Sequence, residues 1–309
     1  MGRNGYHEPV LLDETLSYLA PKGDGLFFDG TVGGGGHARA LLERCGDCRV
    51  FGCDRDPDAV ARARGTLAEF GDRARIHLGR FDDVISNHIG SGVLSGALLD
   101  LGVSSHQLDE GGRGFTFRRG VALDMRMEGA RSGQTAADLL NEASEERLTE
   151  ILRSYGEERR AGRLARTIVR RRARQPMTTS DDLVGALSSA MGRSPSQRDK
   201  ARIFQAIRIA VNDEMGSLER GLEGILNALL PMGTAVVLSY HSLEDRAVKL
   251  AFRSWSAACI CLPELPMCTC RGVPLGKTLT SKPVRPTNSE VEANPRARSA
   301  RLRAWRKAA

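Results

Sequence analysis

A glycine-rich segment directly after the first apolar run of the chain restricts the possible folds more than any other feature. The run Leu26–Asp29 is followed by Gly30-Thr31-Val32-Gly33-Gly34-Gly35-Gly36-His37. Glycines let a backbone turn tightly and approach a ligand closely, and a helix that begins after them presents unpaired N–H groups. The segment therefore predicts a strand, a loop that binds a nucleotide-like cofactor, and a helix. No Gly-Lys-Ser/Thr follows this loop, which argues against a nucleotide triphosphatase.

Short apolar runs alternate with Ala-rich or charged segments through the first third of the chain. This alternation is typical of βα units and a parallel sheet. The predicted strands are Leu26–Asp29, Val50–Asp54, Arg75–Leu78 and Ala97–Asp100, and the predicted helices cover about 35–44 and 58–70. The fold class is therefore predicted to be α/β.

The pattern changes between about Thr135 and Leu230, where only amphipathic helical spacing is found. The predicted helices are 145–155, 157–173, 181–191 and a long stretch from 202 onward, which is either one helix or two helices bent near Gly216. A strand signal returns at Thr234–Tyr240, and edge strands are expected near 277–285 and 298–305. Because the later strand completes the sheet, we expect an inserted all-helical domain at 109–215, with a role in substrate recognition, between core segments 1–108 and 216–309.

Positive charge is concentrated in two segments of the chain. The 309 residues carry 45 Lys and Arg against 38 Asp and Glu, a net charge of +7. Eight arginines and two glutamates lie in 157–174, and five arginines and one lysine lie in the basic C-terminal segment 296–307. Such runs favour a phosphate-bearing partner, and a solvated helix face is the alternative. Neither a signal peptide nor a membrane span is evident, so a cytoplasmic protein is expected.

Three side chains near the glycine loop are predicted to contact the cofactor. Asp54 ends the second predicted strand 21 residues beyond Gly33, a spacing that suits a carboxylate bound to ribose hydroxyls. Asp29, at the start of the loop, would repel a pyrophosphate but suits the ammonium group of the sulfonium compound S-adenosylmethionine. Phe81, just past the third strand, is a candidate cover for the adenine ring. The alternatives are turn or cap roles for both aspartates and a core position for the phenylalanine.

The fourth predicted strand ends in Asp100, which lies beside the cofactor loop and is the first choice for the reacting centre. An exocyclic amine of a base is a poor nucleophile, and a carboxylate that accepts one of its N–H bonds would orient it and stabilise the developing charge. His241, which follows the fifth strand, is predicted to orient the substrate or relay a proton, and a hydrogen-bonded structural role is the alternative. No covalent intermediate is required.

Aromatic and basic side chains alternate in the segment Arg113-Gly114-Phe115-Thr116-Phe117-Arg118-Arg119. This combination suits a displaced base and its phosphates, although two phenylalanines in a loop also suit a local core. The predicted substrate-binding residues are Arg113, Phe115, Phe117 and Arg126.

Many short segments, in matching order, together resemble the RsmH (MraW) family of bacterial S-adenosylmethionine-dependent methyltransferases. Members of that family modify N4 of a cytidine in the decoding centre of 16S ribosomal RNA. The segments are His7-Glu8-Pro9-Val10-Leu11-Leu12, Asp29-Gly30-Thr31, Gly33, Gly35-Gly36-His37, Asp54-Arg55-Asp56-Pro57, Leu99-Asp100-Leu101-Gly102-Val103-Ser104-Ser105, Gln107-Leu108-Asp109, Arg113-Gly114-Phe115, Leu123-Asp124-Met125-Arg126-Met127, Tyr155-Gly156-Glu157-Glu158, Phe204-Gln205-Ala206, His241-Ser242-Leu243-Glu244-Asp245-Arg246 and Asn294-Pro295-Arg296-Ala297-Arg298.

The resemblance implies a Rossmann-like class I methyltransferase core with an inserted helical domain. It also implies contacts between S-adenosylmethionine and Gly35, Gly36, His37, Asp54, Phe81, Asp100 and Gln107, to which the residue chemistry adds Asp29 and Gly33. Asp100 is thus assigned to the cofactor by resemblance and to the reaction by its chemistry. Many amino methyltransferases continue after the acidic residue with Pro-Pro-aromatic, whereas Leu101-Gly102-Val103 stands here, so the residue that stacks on the base is left open.

The seven cysteines include two closely spaced pairs near the C-terminus, Cys259 with Cys261 and Cys268 with Cys270. Four thiolates can hold a structural zinc ion, although a spacing of one residue within each pair is tighter than usual. Reduced thiols or a redox-sensitive loop are the alternative. A disulfide framework is not expected in a chain with an odd number of cysteines and no export signal.

Two further functions remain open from the sequence. One is a noncatalytic RNA-binding assembly factor that keeps the cofactor fold, and the other is an NAD-dependent dehydrogenase, because Gly33-x-Gly35-x-x-Ala38 also fits the dinucleotide fingerprint. The expected partners are 16S ribosomal RNA or the small ribosomal subunit. The oligomeric state is left open, a homodimer included.

Overall fold

The computed structural model describes residues 9–20, 23–102, 111–129, 133–261, 270 and 272–309. The chain divides into two compact units. One consists of Met1–Gly102 together with Met215–Ala309, and the other of Val103–Glu214. The first is called the sheet unit and the second the helical unit below.

The strands of the described chain all belong to one seven-stranded sheet in the sheet unit. They are β1 Leu26–Asp29, β2 Arg49–Asp54, β3 Ala74–Leu78, β4 Leu94–Asp100, β5 Leu229–Ser239, β6 Gly276–Thr278 and β7 Arg301–Lys307. Their order is β3-β2-β1-β4-β5-β7-β6. Strands β1 to β5 pair in parallel, and β7 runs antiparallel to both β5 and β6. The predicted α/β class with a parallel Rossmann-like sheet is confirmed.

Helices of the described chain occur in both units. They are α1 Leu12–Leu19, α2 Gly36–Arg44, α3 Pro57–Thr66, α4 Phe81–His88, α5 Ala136–Glu142, α6 Glu145–Ser154, α7 Ala161–Arg172, α8 Ser180–Met191, α9 Gln197–Asn212, α10 Glu214–Ala228, α11 Ser242–Ser256 and α12 Asn288–Ala293. Short 3₁₀ helices lie at Ala68–Arg73, Gly111–Arg113 and Pro295–Ser299. No helix in the described ranges is long and apolar enough to cross a membrane.

Both faces of the sheet are covered by apolar packing, as expected for parallel strands. Alternate residues of β5 show this: Val236 and Leu238 belong to the core with α1 and α2, whereas Ala235 and Val237 belong to the core with α4, α10 and α11. Successive side chains of a strand point to opposite faces, which explains the division. Strands β2, β1 and β4 are neighbours in this sheet, so their carboxyl ends lie side by side. Apolar packing covers both faces of the sheet at this position.

The helical unit has a separate core that includes residues from α5 to α9. Helices α5 and α9 begin with capping boxes, in which Thr135 pairs with Asp138 and Ser196 with Asp199. A partly buried ion pair joins Arg202 of α9 to Glu158 at 2.6 Å. The unit also contains an isolated antiparallel bridge, between Ala122 and Thr179.

Several sequence-based expectations need correction. Helices α1, α4, α5, α11 and α12 were not predicted. The first three have only seven or eight residues, too few for a clear helical period. The break in the long helical stretch lies at Asp213, whose φ of 48° is left-handed, rather than near Gly216. In the region predicted as an edge strand at 277–285, only Gly276–Thr278 pairs as a strand. A disulfide also joins Cys45 and Cys48, which follow α2.

Candidate cofactor site and reaction centre

The glycine loop is tied by backbone hydrogen bonds to the two strands that flank β1. The N–H of Gly30 donates to Leu98 O of β4 and the N–H of Val32 donates to Cys53 O of β2, both at 2.9 Å. Gly33 and Gly35 have φ of 53° and 87°, a left-handed region that favours glycine. The loop thus places the N-terminus of α2 at the carboxyl edge of the sheet.

Asp29 ends β1 and is buried, with 4% of its surface exposed. Its Oδ1 accepts a 3.2 Å hydrogen bond from the N–H of Thr31, so the turn role left open by the sequence is present. Burial raises the pKa of Asp29 to about 7, helped by the charges of Asp100 and Asp54 and opposed by the Thr31 hydrogen bond. A cation bound nearby would stabilise its charged form.

Asp54, at the end of β2, accepts hydrogen bonds from two loop amides. Its Oδ2 accepts from the N–H of Gly33 at 3.0 Å and its Oδ1 accepts from the N–H of Asp56 at 2.9 Å. Burial raises its pKa to about 6, although both hydrogen bonds act in the opposite direction. The carboxylate therefore holds the loop in shape, and its predicted contact with ribose stays a prediction.

Asp100, at the end of β4, is held from two sides. Its Oδ1 accepts a 2.7 Å hydrogen bond from the hydroxyl of Tyr240, and its backbone N–H donates to Thr31 Oγ1 at 2.6 Å. Its Oδ2 lies 3.8 Å from Nδ1 of His37, and the Nε2 of that ring is 3.1 Å from Val10 O. With 23% of its side chain exposed, Asp100 is both oriented and accessible.

Tyr240 is the functional candidate that residue-by-residue reasoning missed. It follows β5 directly, and burial, together with the charge of Asp100, raises the pKa of its hydroxyl well above its ordinary value. The hydroxyl is therefore a permanent donor to the carboxylate. The position of Tyr240 in a polar segment after a strand could have indicated a site residue. The sequence pattern favoured its neighbour His241 instead.

His241 is the N-cap of α11, and both of its ring nitrogens face Glu244. Nδ1 accepts from the N–H of Glu244 at 3.3 Å, and Nε2 lies 3.0 Å from Glu244 Oε1. Glu244 in turn accepts from the N–H groups of Tyr240 and His241. This capping box gives His241 a structural role beside the site. Its predicted catalytic role stays a prediction.

Phe81 and Gln107 were the remaining predicted cofactor contacts. Phe81 begins α4, and its ring lies so close to Gly221 that a β-carbon there would collide with it. It is partly buried against the core of the sheet unit. Gln107 lies outside the described residues.

The predicted substrate-binding residues lie in the helical unit, where each has an internal contact. Arg113 donates to Met127 O at 2.7 Å, and Arg126 makes a two-pronged ion pair with Asp124 at 2.9 and 2.7 Å. Phe115 is 8% exposed within the core, and Phe117 packs edge-on against Phe204 with ring centres 5.8 Å apart. Both phenylalanines therefore pack in or against the core, which is the alternative that the sequence left open. Contact of the four residues with RNA stays a prediction.

Comparison with known proteins identifies similar chains. The sequence model of the MraW methylase family matches residues 4–308. The ribosomal RNA small subunit methyltransferase H of Gemmatimonas aurantiaca is 52% identical over 99% of this chain and 97% of its own length. The protein of the same name from Symbiobacterium thermophilum is 48% identical over 97% and 96%. The solved structure of an rRNA methylase from Streptococcus thermophilus aligns with 96% of this chain and 95% of its own, at 11% identity and a TM-score of 0.43.

Proposed function

Because the chain belongs to the MraW methylase family, we propose that it is an S-adenosylmethionine-dependent methyltransferase of small-subunit ribosomal RNA whose acceptor is N4 of a cytidine in the decoding centre. The observation that carries the proposal is the set of three carboxylates, Asp29, Asp54 and Asp100, at the ends of three adjacent strands. They surround the glycine loop, which is where an open α/β sheet binds its ligand.

The donor chemistry of this edge fits a cationic cofactor. S-adenosylmethionine supplies a methyl group carried on a positively charged sulfur and also bears an ammonium group. Asp29 is buried with a pKa of about 7, so a bound cation would keep it ionised at neutral pH. The residues proposed to hold the cofactor are Asp29, Gly33, Gly35, Gly36, His37, Asp54, Phe81, Asp100 and Gln107. Three acidic groups around a pyrophosphate would repel it, so the NAD-dependent dehydrogenase is disfavoured.

Asp100 is proposed to orient the acceptor amine. Its Oδ1 accepts a hydrogen bond from the Tyr240 hydroxyl, which fixes the carboxylate. Because each carboxylate oxygen has two lone pairs, the carboxylate can also accept an N–H bond from the exocyclic nitrogen. That hydrogen bond directs the nitrogen lone pair toward the methyl group and stabilises the positive charge that develops as the N–C bond forms. The N–C bond would form as the S–C bond breaks, with S-adenosylhomocysteine as the leaving group, and the methylated nitrogen would then pass its proton to the Asp100 carboxylate that accepts its N–H bond. No covalent enzyme intermediate is needed.

The helical unit is proposed to recognise the RNA, and Arg113, Phe115, Phe117 and Arg126 remain its candidate contacts. An amine engaged in base pairing is unreachable, so the target cytidine must be unpaired or flipped out, at a cost of a few kcal/mol. An enzyme with a ribosomal acceptor is expected to work in the cytoplasm.

The decisive experiment is transfer of radiolabelled methyl groups from S-adenosylmethionine to small ribosomal subunits from a strain that lacks the activity, followed by nucleoside analysis. We expect label in N4-methylcytidine. Asp100→Asn should lower the rate by about 100-fold or more, the range for a positioned acid–base group. Asp83→Asn, an exposed carboxylate on α4, is the matched control. Cofactor binding without any transfer would support the noncatalytic assembly factor, and label in another nucleoside would overturn the proposed acceptor.

A further inference from the structure

Three cysteines of the sheet unit converge in the segment between α11 and β6. The sulfur atoms of Cys259, Cys261 and Cys270 all lie within 4.8 Å of one another, although the last two are nine positions apart in sequence. Each is present as a thiol rather than a disulfide. Neither the cofactor site nor the proposed reaction uses any of them.

We propose that Cys259, Cys261 and Cys270 bind a structural zinc ion. Tetrahedral zinc with Zn–S bonds of about 2.3 Å places its sulfur ligands roughly 3.8 Å apart. Sulfurs already within 4.8 Å reach that arrangement with shifts of about 1 Å. Thiolate ligands also select soft or borderline metals, which excludes magnesium and calcium. The predicted fourth ligand, Cys268, lies outside the described residues, so the proposal rests on the other three.

The sulfur of Cys270 has two backbone contacts near Cys259: it accepts from the N–H of Ile260, and as a thiol it donates to Ala258 O at 3.9 Å, a contact that would be lost when the thiolate binds a metal. The backbone N–H of Ile260 donates to Cys270 Sγ at 3.4 Å, across the space between the two cysteine-bearing segments. An N–H donor to sulfur stabilises negative charge on it, which is the form that binds metal. Cys261 and Cys270 are partly buried whereas Cys259 is exposed, so solvent gives the ion a path of entry.

A zinc ion would add a cross-link to this segment. Its base is closed by the N–H of Leu275, which donates to Trp255 O at 2.8 Å. Beyond that point two of its large apolar side chains are exposed, Ile260 by 51% and Val273 by 60%, so they add little to the core. Where apolar burial is small, a metal can supply the cross-link that holds the chain. The zinc would fix the connection between α11 and the edge strand β6.

The test is metal analysis of the full-length protein, purified without chelators from cells grown with zinc. We expect one zinc per chain. It should be lost in Cys259→Ser, Cys261→Ser and Cys270→Ser but retained in the control Cys53→Ser, which removes a thiol buried in the sheet core. Absence of stoichiometric zinc from the wild-type protein, or its retention in the three variants, would overturn the proposal. Iron or copper in its place would overturn the assignment to zinc.

A second measurement does not depend on variants that fold. Chelation of the wild-type protein should expose at least three additional thiols to a thiol-specific reagent and lower the Tm, because metal binding stabilises the native state. Identical thiol counts before and after chelation would contradict the zinc site. Both readouts are independent of methyl transfer.

Discussion

The hydroxyl of Tyr240 donates a 2.7 Å hydrogen bond to Oδ1 of Asp100, and the two residues are 140 positions apart in sequence. The parallel pairing of β4 with β5 brings them together, since Asp100 is opposite Leu238 in the register. The tyrosine thereby fixes the orientation of the carboxylate at the carboxyl edge of the sheet. We regard Tyr240 as a positioning residue for Asp100.

Replacing Tyr240 by phenylalanine should lower kcat for methyl transfer by about 10- to 100-fold. A hydrogen bond to a charged group contributes roughly 1.5–3 kcal/mol, and each 1.4 kcal/mol is tenfold in rate. If the bond acts mainly on the reaction, KM for S-adenosylmethionine should change much less than kcat. Steady-state kinetics on small subunits measures both constants.

The matched control is Tyr18→Phe, on α1 and packed against the core of the sheet unit. We expect its kinetics to be unchanged. A Tyr240→Phe enzyme with wild-type kcat would show that Asp100 needs no help from the tyrosine.

Asp29→Asn should weaken S-adenosylmethionine binding and reduce its pH dependence. Because the pKa of Asp29 is about 7, the wild-type affinity for a cation should increase as pH rises through 7 and the carboxylate ionises. Asparagine keeps an acceptor for the Thr31 amide but carries no charge. Calorimetry at pH 6 and pH 8 measures the affinity of both proteins for S-adenosylmethionine. Equal affinities at pH 8 would contradict a contact between Asp29 and the cofactor, and only its turn role would remain.

The same substitution should stabilise the protein without cofactor at pH 8. The folded pKa of Asp29 lies above its ordinary 3.8, so the folded state binds more protons and the free energy of unfolding falls as pH rises from about 4 to about 7. The rise of the Asp29 pKa from 3.8 to about 7 corresponds to on the order of 4 kcal/mol of stability lost on ionisation. The uncharged Asp29→Asn variant does not lose this stability. Denaturant unfolding at pH 5 and pH 8 should show a much larger gain at the higher pH. In the variant, the free energy of unfolding should still fall as pH rises to about 6, because the pKa of Asp54 is also raised.

The strands and the cofactor loop were predictable because local features determine them. Apolar runs of strand length and a cluster of glycines place Asp29, Asp54 and Asp100 at strand ends without any knowledge of the remaining chain. The Tyr240 contact was not predictable in this way, because it depends on which strand lies beside β4. The burial of Phe115 likewise depends on the packing of the helical unit. Residues whose roles arise from tertiary contacts were the ones that the sequence left ambiguous.

Asp245→Ala should destabilise the sheet unit by about 3 kcal/mol at pH 7, the lower end of the roughly 3–5 kcal/mol that an uncompensated buried charge costs. Asp245 on α11 pairs with Arg303 of β7 at 2.7 Å and with Arg301 at 3.2 Å, and Arg303 is only 7% exposed. Removing the carboxylate leaves the Arg303 charge without that partner. Denaturant unfolding measures the loss. Glu43→Gln, in an exposed pair with Arg39, should change stability by less than about 1 kcal/mol.

The deficit of the Asp245→Ala variant should shrink in acid. Burial alone would raise the pKa of Asp245, but hydrogen bonds from Arg303 and the charges of Arg303 and Arg301 hold it below its ordinary value. A carboxylate with a lowered folded pKa stabilises the protein above its unfolded pKa, and this contribution is lost as pH falls through the folded pKa. A constant deficit from pH 7 to about pH 3 would contradict the ionic origin of the effect.

Arginines on the exposed face of α7 should contribute to RNA binding through their charge. Arg163, Arg166 and Arg170 recur at helical spacing and are exposed, and Arg166 also pairs with Glu145 at 3.4 Å. Arg172 on the same helix is instead engaged with the carbonyls of Leu140 and Ala143. Each phosphate contact releases counterions, so replacing the three exposed arginines by glutamine should weaken binding and reduce the slope of log K against log salt by about 2. Fluorescence anisotropy with a labelled 16S RNA fragment between 50 and 200 mM salt, roughly the range over which such slopes are resolved, measures both effects. Arg39→Gln, which replaces an arginine paired with two glutamates in the sheet unit, should leave the slope unchanged. An unchanged slope in the triple variant would identify the α7 arginines as a solvated helix face and move the RNA contact to another surface.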